Sequence, residues 1–236
     1  LTRRRWIADD VHGNIAALTG EHATHLRRVL RAQIGQEFDI PCGDVVRRGK
    51  ITLISDERVE FVLGDVIATK AAADLTLVLA IFKFDRMEWA IEKCTEVGVA
   101  RIIPVIARRT DAHLAAAAAK RHERWLRIAR QAAEQSRRAA PPEISGPIKL
   151  KELSSTGGPL IVLSESETGT MLRDVLPPSA AGAVLAIGPE GGWADEEMAW
   201  FRVAGWTAAS LGDNVLRAET AAIVASGLAM DFLKQD

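Results

Sequence analysis

Apolar residues follow two rhythms along this chain. Up to about residue 70 they come in short runs: Phe38-Asp39-Ile40, Val45 to Ile54, and Val59 to Ile67. Turn-forming residues separate them, namely Gly35, Pro41-Cys42-Gly43-Asp44, Ser55-Asp56-Glu57 and Gly64-Asp65. One helix is predicted inside this region, near Glu21 to Arg31. Leu26, Val29 and Leu30 give it an apolar side, and Thr19 or Gly20 is placed to cap it. The pattern predicts a small β-barrel.

From about Ala73 the rhythm changes. Leu75 to Ile81 is a continuous apolar run, as expected of a strand buried on both faces. A helix follows over Arg86 to Val97, with Met87, Ala90, Ile91, Cys94 and Val97 facing inward and Gly98 ending it. Further strands are predicted at Ile102 to Ala107, Leu160 to Leu163, Ala183 to Ile187 and Ala208 to Leu211. Helices are predicted at His113 to Arg138, Thr170 to Leu176, Asp195 to Ala204 and Glu219 to Leu233. Strands alternating with helices indicate an α/β region with a mostly parallel sheet covered on both faces. Trp89 and Trp125 have helical apolar neighbours and are expected in the core.

Composition adds bounds. At 236 residues, 48% of them hydrophobic, the chain suits one large domain or a small one plus a medium one. The net charge of -1 is uninformative about partners. Its distribution is not, because the first fifty residues are locally basic, with Arg3, Arg4, Arg5, Arg27, Arg28, Arg31, Arg47, Arg48 and Lys50. Cys42 and Cys94 lie in no ligand cluster, so no metal site and free thiols in a reducing cytoplasm are expected. No apolar run approaches a membrane span, and LTRRRWIADD contains no signal-peptide apolar region.

Three strand ends hold the candidate chemistry. AIGPEGGWADEE, from Ala186 to Glu197, puts a glycine-rich turn between a strand and a helix. Such turns often cradle phosphate, yet this one carries Glu190, with Asp195, Glu196 and Glu197 beyond. It is neither GxGxxG nor GxxxxGK[ST]. A ligand with cationic groups and little negative charge fits; a bare structural turn is an equal alternative. LGDNVLRAETAA, from Leu211 to Ala222, follows a second strand, with Val215 and Leu216 as a candidate pocket wall. Arg217 stands beside it, and a surface pair of Arg217 with Glu219 is the bland alternative. LIVLSESE, from Leu160 to Glu167, ends a third strand in Ser164 and Glu165. In open α/β sheets ligands bind at the carboxyl ends of strands, so these turns together predict a cleft.

GPEGG followed by LGDNVLRAETA resembles the paired signature of RsmE-type methyltransferases, which methylate N3 of a uridine in small-subunit ribosomal RNA. The resemblance extends over nearly the whole chain: GEHATHLRRVLRAQIGQEFDI, FDRMEWAIEKCTEVGVARIIPVIARRT and AAEQSRRAAPPEI are similar to its other segments. Asn214 departs from the family, in which many members carry arginine there. The resemblance implies a SPOUT-class domain over 73–236, with a trefoil knot and a mostly parallel sheet. It also implies a PUA/OB-like RNA-binding β-barrel over 1–70.

The implied cofactor is S-adenosyl-L-methionine, whose sulfonium and amino group suit an acidic glycine loop. By the same resemblance its contacts fall on Leu163, Ser164, Glu165, Ile187, Gly188, Pro189, Glu190, Gly191, Gly192, Leu211, Gly212, Asn214, Val215, Leu216 and Thr220. Uracil N3 must lose its proton before it attacks, which calls for a base or a cation. Arg217 is the candidate stabiliser. Glu219 would orient Arg217 or accept the proton, or else simply cap a helix, and Glu190 is a weaker base candidate. Arg3, Arg5, His25, Arg28, Arg31, Arg109 and Arg138 are the expected RNA contacts, with Glu96, Glu134 and Gln135 beside them; an exposed Glu134–Arg138 helix pair is the bland alternative. Trp6 would stack on a base or pack in the core. A homodimer in the cytoplasm acting on 16S ribosomal RNA is implied, with the apolar face Ala222, Ile223, Ser226, Met230 and Leu233 as a contributor, or else as cover for its own sheet only. Two alternatives stay open: a SPOUT methyltransferase of transfer RNA, and a non-catalytic RNA-binding assembly factor.

Overall fold

The computed structural model describes residues 5–42, 45–67, 73–136, 138–154, 157–178 and 180–233. Arg3, Arg4 and the Gly43-Asp44 turn lie outside them. The chain divides into two compact units, 1–71 with 133–141, and 72–132 with 142–236. The short segment 133–141 groups with the first unit although it lies in the middle of the sequence.

The first unit is built on five antiparallel strands: β1 (Asp10–His12), β2 (Ile15–Thr19), β3 (Glu37–Cys42), β4 (Val45–Ile54) and β5 (Arg58–Ile67). Their order is β1-β2-β5-β4-β3. Alternate residues enter one core, including Leu18, Phe38, Ile40, Ile51, Val59, Phe61 and Leu63. The predicted helix is present but short: α1 (Gly20–Thr24) runs into a single π-helical turn over His25–Val29. Arg31 falls beyond it with φ 50°, outside the helical turn that carries His25 and Arg28. Trp6 is buried in this core against the His25 ring, which rules out its use as a base-stacking platform.

The second unit contains β6 (Asp74–Ala80), α2 (Phe84–Val97), β7 (Arg101–Ile106), α3 (Ala112–Ala117), α4 (His122–Gln135, whose last turn belongs to the first unit), β8 (Glu143–Ile144) and β9 (Ile148–Lys149). It continues with β10 (Leu160–Leu163), α5 (Leu172–Val175), β11 (Gly182–Ile187), α6 (Asp195–Val203), β12 (Thr207–Ala209) and α7 (Ala218–Leu233). All pairings in this sheet are parallel, in the order β12-β10-β11-β6-β7-β8, with β9 also on β7. The long helix expected over His113 to Arg138 is interrupted by a 3₁₀ turn at Ala118–Arg121. Asp111 caps α3, its side chain accepting from the N–H groups of His113 and Leu114.

The period of two sorts the central strand between two cores. Leu75, Leu77 and Leu79 of β6 face the core that also holds α2, α7 and Trp125. Val78 and Ala80 face the other, where Trp193, Phe201 and Trp206 pack with ring centroids 4.9 and 5.0 Å apart. Fully burying each such side chain is worth about 1.5–3 kcal/mol. Trp89, expected inside, is 48% exposed. It lies off the inward stripe formed by Met87, Ala90, Ile91 and Cys94. The apolar face of α7 is already used within its own chain, since Ala222, Ser226, Met230 and Leu233 are buried. None of the described helices is long and apolar enough to cross a membrane.

Candidate active site

β6 and β11 are neighbours, but the chain leaves them in opposite directions, toward β7 on one side and toward β12 on the other. That reversal opens a crevice at the carboxyl ends of the strands. A cleft of about 560 Å³ lies there. Its walls come from 163–166 after β10, from 187–190 with Gly192 and Trp193 after β11, and from 209–218 after β12. Arg86 from the first turn of α2 and Arg109 from beyond β7 complete it.

Local geometry explains the loop sequences. Gly192 has φ +69°, and a Cβ there would lie 3.4 Å from Glu165 Oε1. Gly212 has φ +125°. Both are positions where a side chain would be strained. The Gly192 N–H donates to the Pro189 carbonyl (2.8 Å), closing the turn. Glu197 anchors the helix behind it: nearly buried, it accepts from the N–H of Arg108 and from that of Ala194, both at 2.8 Å. One carboxylate therefore joins the loop after β7 to the start of α6. In the third wall the Gly212 N–H donates to Ser210 Oγ (3.1 Å).

The three arginines of the cleft differ. Arg109 Nη1 donates to the Gly191 carbonyl (2.6 Å). Arg86 Nη1 donates to Glu190 Oε1 (2.7 Å), and its Nε lies 3.7 Å from Glu219 Oε1. The Arg217 side chain has no hydrogen-bond or ion-pair partner among the described residues. Glu219 is 4% exposed, and its Oε2 is buried with no hydrogen-bond partner. The expected Arg217–Glu219 contact is thus replaced by Arg86–Glu219. Glu165, Glu190, Asp195 and Asp213 set four carboxylates in the lining beside the three guanidiniums.

Residues 69–230 match the family model described as the RNA methyltransferase domain. Over 227 residues the chain is 32% identical to Ribosomal RNA small subunit methyltransferase E of Mycobacterium bovis, across 91% of this chain and 86% of that one. The Aquifex aeolicus protein of the same name is 28% identical over 232 residues, across 95% and 98%. A structure of the same name from Neisseria gonorrhoeae, bound to S-adenosyl methionine, superposes with a TM-score of 0.84 at 28% identity, over 96% of each chain. The chain belongs to the ribosomal RNA small subunit methyltransferase E family. It is accordingly an enzyme, an RNA methyltransferase, and the non-catalytic reading falls away.

For this methyltransferase the structure gathers most of the expected site residues in one place. Leu163, Ser164, Glu165, Ile187, Gly188, Pro189, Glu190, Gly192, Leu211, Gly212, Asn214, Val215, Leu216 and Arg217 line the cleft. Gly191 and Thr220 do not; Gly191 instead lends its carbonyl to Arg109. Arg109, expected among the RNA contacts, lines this same cleft. Asp195 and Asp213, in turns already singled out, also line it, and Arg86, Ser166, Trp193, Ala209, Ser210, Ala218 and Ala221 line it without having been anticipated. The missed signal for Arg86 is its place just past β6, a fourth strand end beside the three that were read. In the first unit His25, Arg28 and Arg31 are exposed, while Arg5 is half-buried. Arg138 is also half-buried, and its desolvation lowers its pKa. Glu96 is held by Lys93 Nζ (2.8 Å).

Proposed function

We propose that this enzyme transfers a methyl group from S-adenosyl-L-methionine to N3 of a uridine in the decoding region of 16S ribosomal RNA. The observation that carries the reading is the cleft itself: carboxylates on its walls, open backbone at glycine turns, and one uncommitted guanidinium, Arg217. The donor set suits this cofactor. Carboxylates attract a sulfonium and an ammonium and would repel a polyphosphate. In this reading 163–165, 187–192 and 211–216 hold the cofactor, with backbone groups at the adenine. When bound, the cofactor supplies an electrophilic methyl group.

The rest falls to the chain's own residues. Arg217, always charged, faces the anion left on the uracil ring when N3 loses its proton. Arg86 and Arg109 are engaged by protein acceptors and act on the walls instead. Glu219 is buried beside Arg86 and serves the architecture of the site rather than as a free base.

The domain that carries the cleft is proposed to be of the SPOUT class, threaded into a trefoil knot, and the five-stranded unit a PUA/OB-like RNA-binding barrel. Arg5, His25, Arg28 and Arg31 would meet phosphates there. The protein is proposed to act as a cytoplasmic homodimer. Because the inward face of α7 is occupied, the exposed Val224 and Leu228 are the apolar residues of that helix left for a partner. Incubating the protein with methyl-labelled cofactor and small ribosomal subunits tests the activity. Label is expected in 16S ribosomal RNA; label only in transfer RNA would redirect the substrate assignment.

A further inference from the structure

We infer that Arg86 is a positioning residue that ties the 188–192 loop to the first turn of α7, so that two walls of the cleft are held as one. The inference rests on the reading of this cleft as the cofactor site.

Arg86 lies 104 residues from Glu190 in sequence, on a different element from either wall it touches. Its Nη1 takes one wall through Glu190, and its Nε faces the other through Glu219. An ordinary surface ion pair would contribute little. Here one partner is different: Glu219 is 96% withdrawn from solvent, with Oε2 lacking any hydrogen bond. A buried carboxylate without a compensating cation is strongly unfavourable, so Arg86 is fixed in place by the need of Glu219. Once fixed, its Nη1 reaches the loop, where Glu190 Oε1 accepts the hydrogen bond. Fork geometry is required for this, because a guanidinium presents donors in two directions from one rigid plane whereas an ammonium is a point charge. Loop 188–192 thereby borrows its rigidity from α2, a fourteen-residue helix packed in the core.

Two readouts on the full-length protein test this. Hydrogen exchange on the cofactor-free protein follows the amides of 188–192 and of the first turn of α7. Calorimetry follows binding of S-adenosyl-L-methionine. Arg86→Met is expected to speed exchange in both segments together and to weaken binding about tenfold, the scale of one lost charge-assisted hydrogen bond. Glu190→Gln should weaken binding similarly, and the double variant should be no worse than either single one. Arg86→Lys should restore stability but only part of the affinity. Should Arg86→Met unfold the protein, Arg86→Met with Glu219→Gln removes the stranded charge and should refold it with affinity still low. The inference is overturned if the Arg86 and Glu190 effects multiply independently. It is equally overturned if the Arg86→Met/Glu219→Gln protein shows wild-type exchange in 188–192 and wild-type affinity. Failure of the wild-type protein to bind the cofactor would instead sink the cofactor reading, and the exchange data would still decide the role of Arg86.

Discussion

At the scale of single residues, Arg217 and Glu219 show what sequence can and cannot reveal. Both stood out because they close a strand-end turn, and Arg217 does line the cleft. Their pairing was misjudged because neighbours in sequence are not neighbours in space. At i and i+2 near a helix start, side chains point apart. Glu219 finds Arg86 instead, from an element more than a hundred residues away, and no periodicity announces such a partner. Trp89 was misplaced for a similar reason, since one residue's shift around a helix moves it from core to solvent. The free state of Arg217 leads to a prediction. Arg217→Ala should slow single-turnover methylation about 10²–10³-fold, the scale for removing one placed electrostatic stabiliser. Cofactor affinity should change little, because the charge it meets arises on the uracil. Arg217→Lys should recover part of the rate. Near wild-type turnover by Arg217→Ala with saturating cofactor would remove Arg217 from the mechanism.

Among the elements, most strands and helices of the second unit were legible because continuous apolar runs alternate with helical stripes closed by clear stops, as at Gly98; β8 and β9, two residues each, are too short to leave such a run. The hairpin of β1 and β2 was missed, although Gly13-Asn14 is a two-residue turn signal between paired His12 and Ile15. Its strands are too short to show alternation. The break at Ala118–Arg121 was hidden because an alanine run suits any helical form. The seam between α2 and α7 was not visible from sequence at all. There Cys94 is fully buried and accepts a hydrogen bond from Ser226 Oγ (3.7 Å). Burial pushes its thiol from an ordinary value of 9.0 up to about 12, with the Ser226 contact offsetting part of this. The folded state therefore prefers the protonated thiol, while the unfolded chain ionises near pH 9. This contribution to stability is complete below pH 9 and is lost as pH rises toward about 12. The unfolding free energy of wild type, from denaturant melts, should fall over that window relative to Cys94→Ala, by on the order of 4 kcal/mol at the upper end. Parallel pH profiles for the two proteins would show that Cys94 does not ionise on unfolding as described.

For the whole molecule, the division into a five-stranded unit and a larger α/β unit follows the change of rhythm near residue 70. The assignment of 133–141 to the first unit does not, because grouping by contact leaves no mark in a helical stretch. The proposed knot would be a property of threading and has no local pattern either. The proposed dimer is a question at this scale. Light scattering at micromolar concentration should give twice the chain mass, and Val224→Glu with Leu228→Glu should return it to the monomer value. A monomeric wild type would contradict the dimer. The most direct test of the central claim is mass mapping of methylated nucleotides in 16S ribosomal RNA from cells with and without this protein. The account predicts one N3-methylated uridine that disappears on deletion, returns with the wild-type chain, and does not return with Arg217→Ala. An unchanged methylation map of 16S ribosomal RNA on deletion would contradict it.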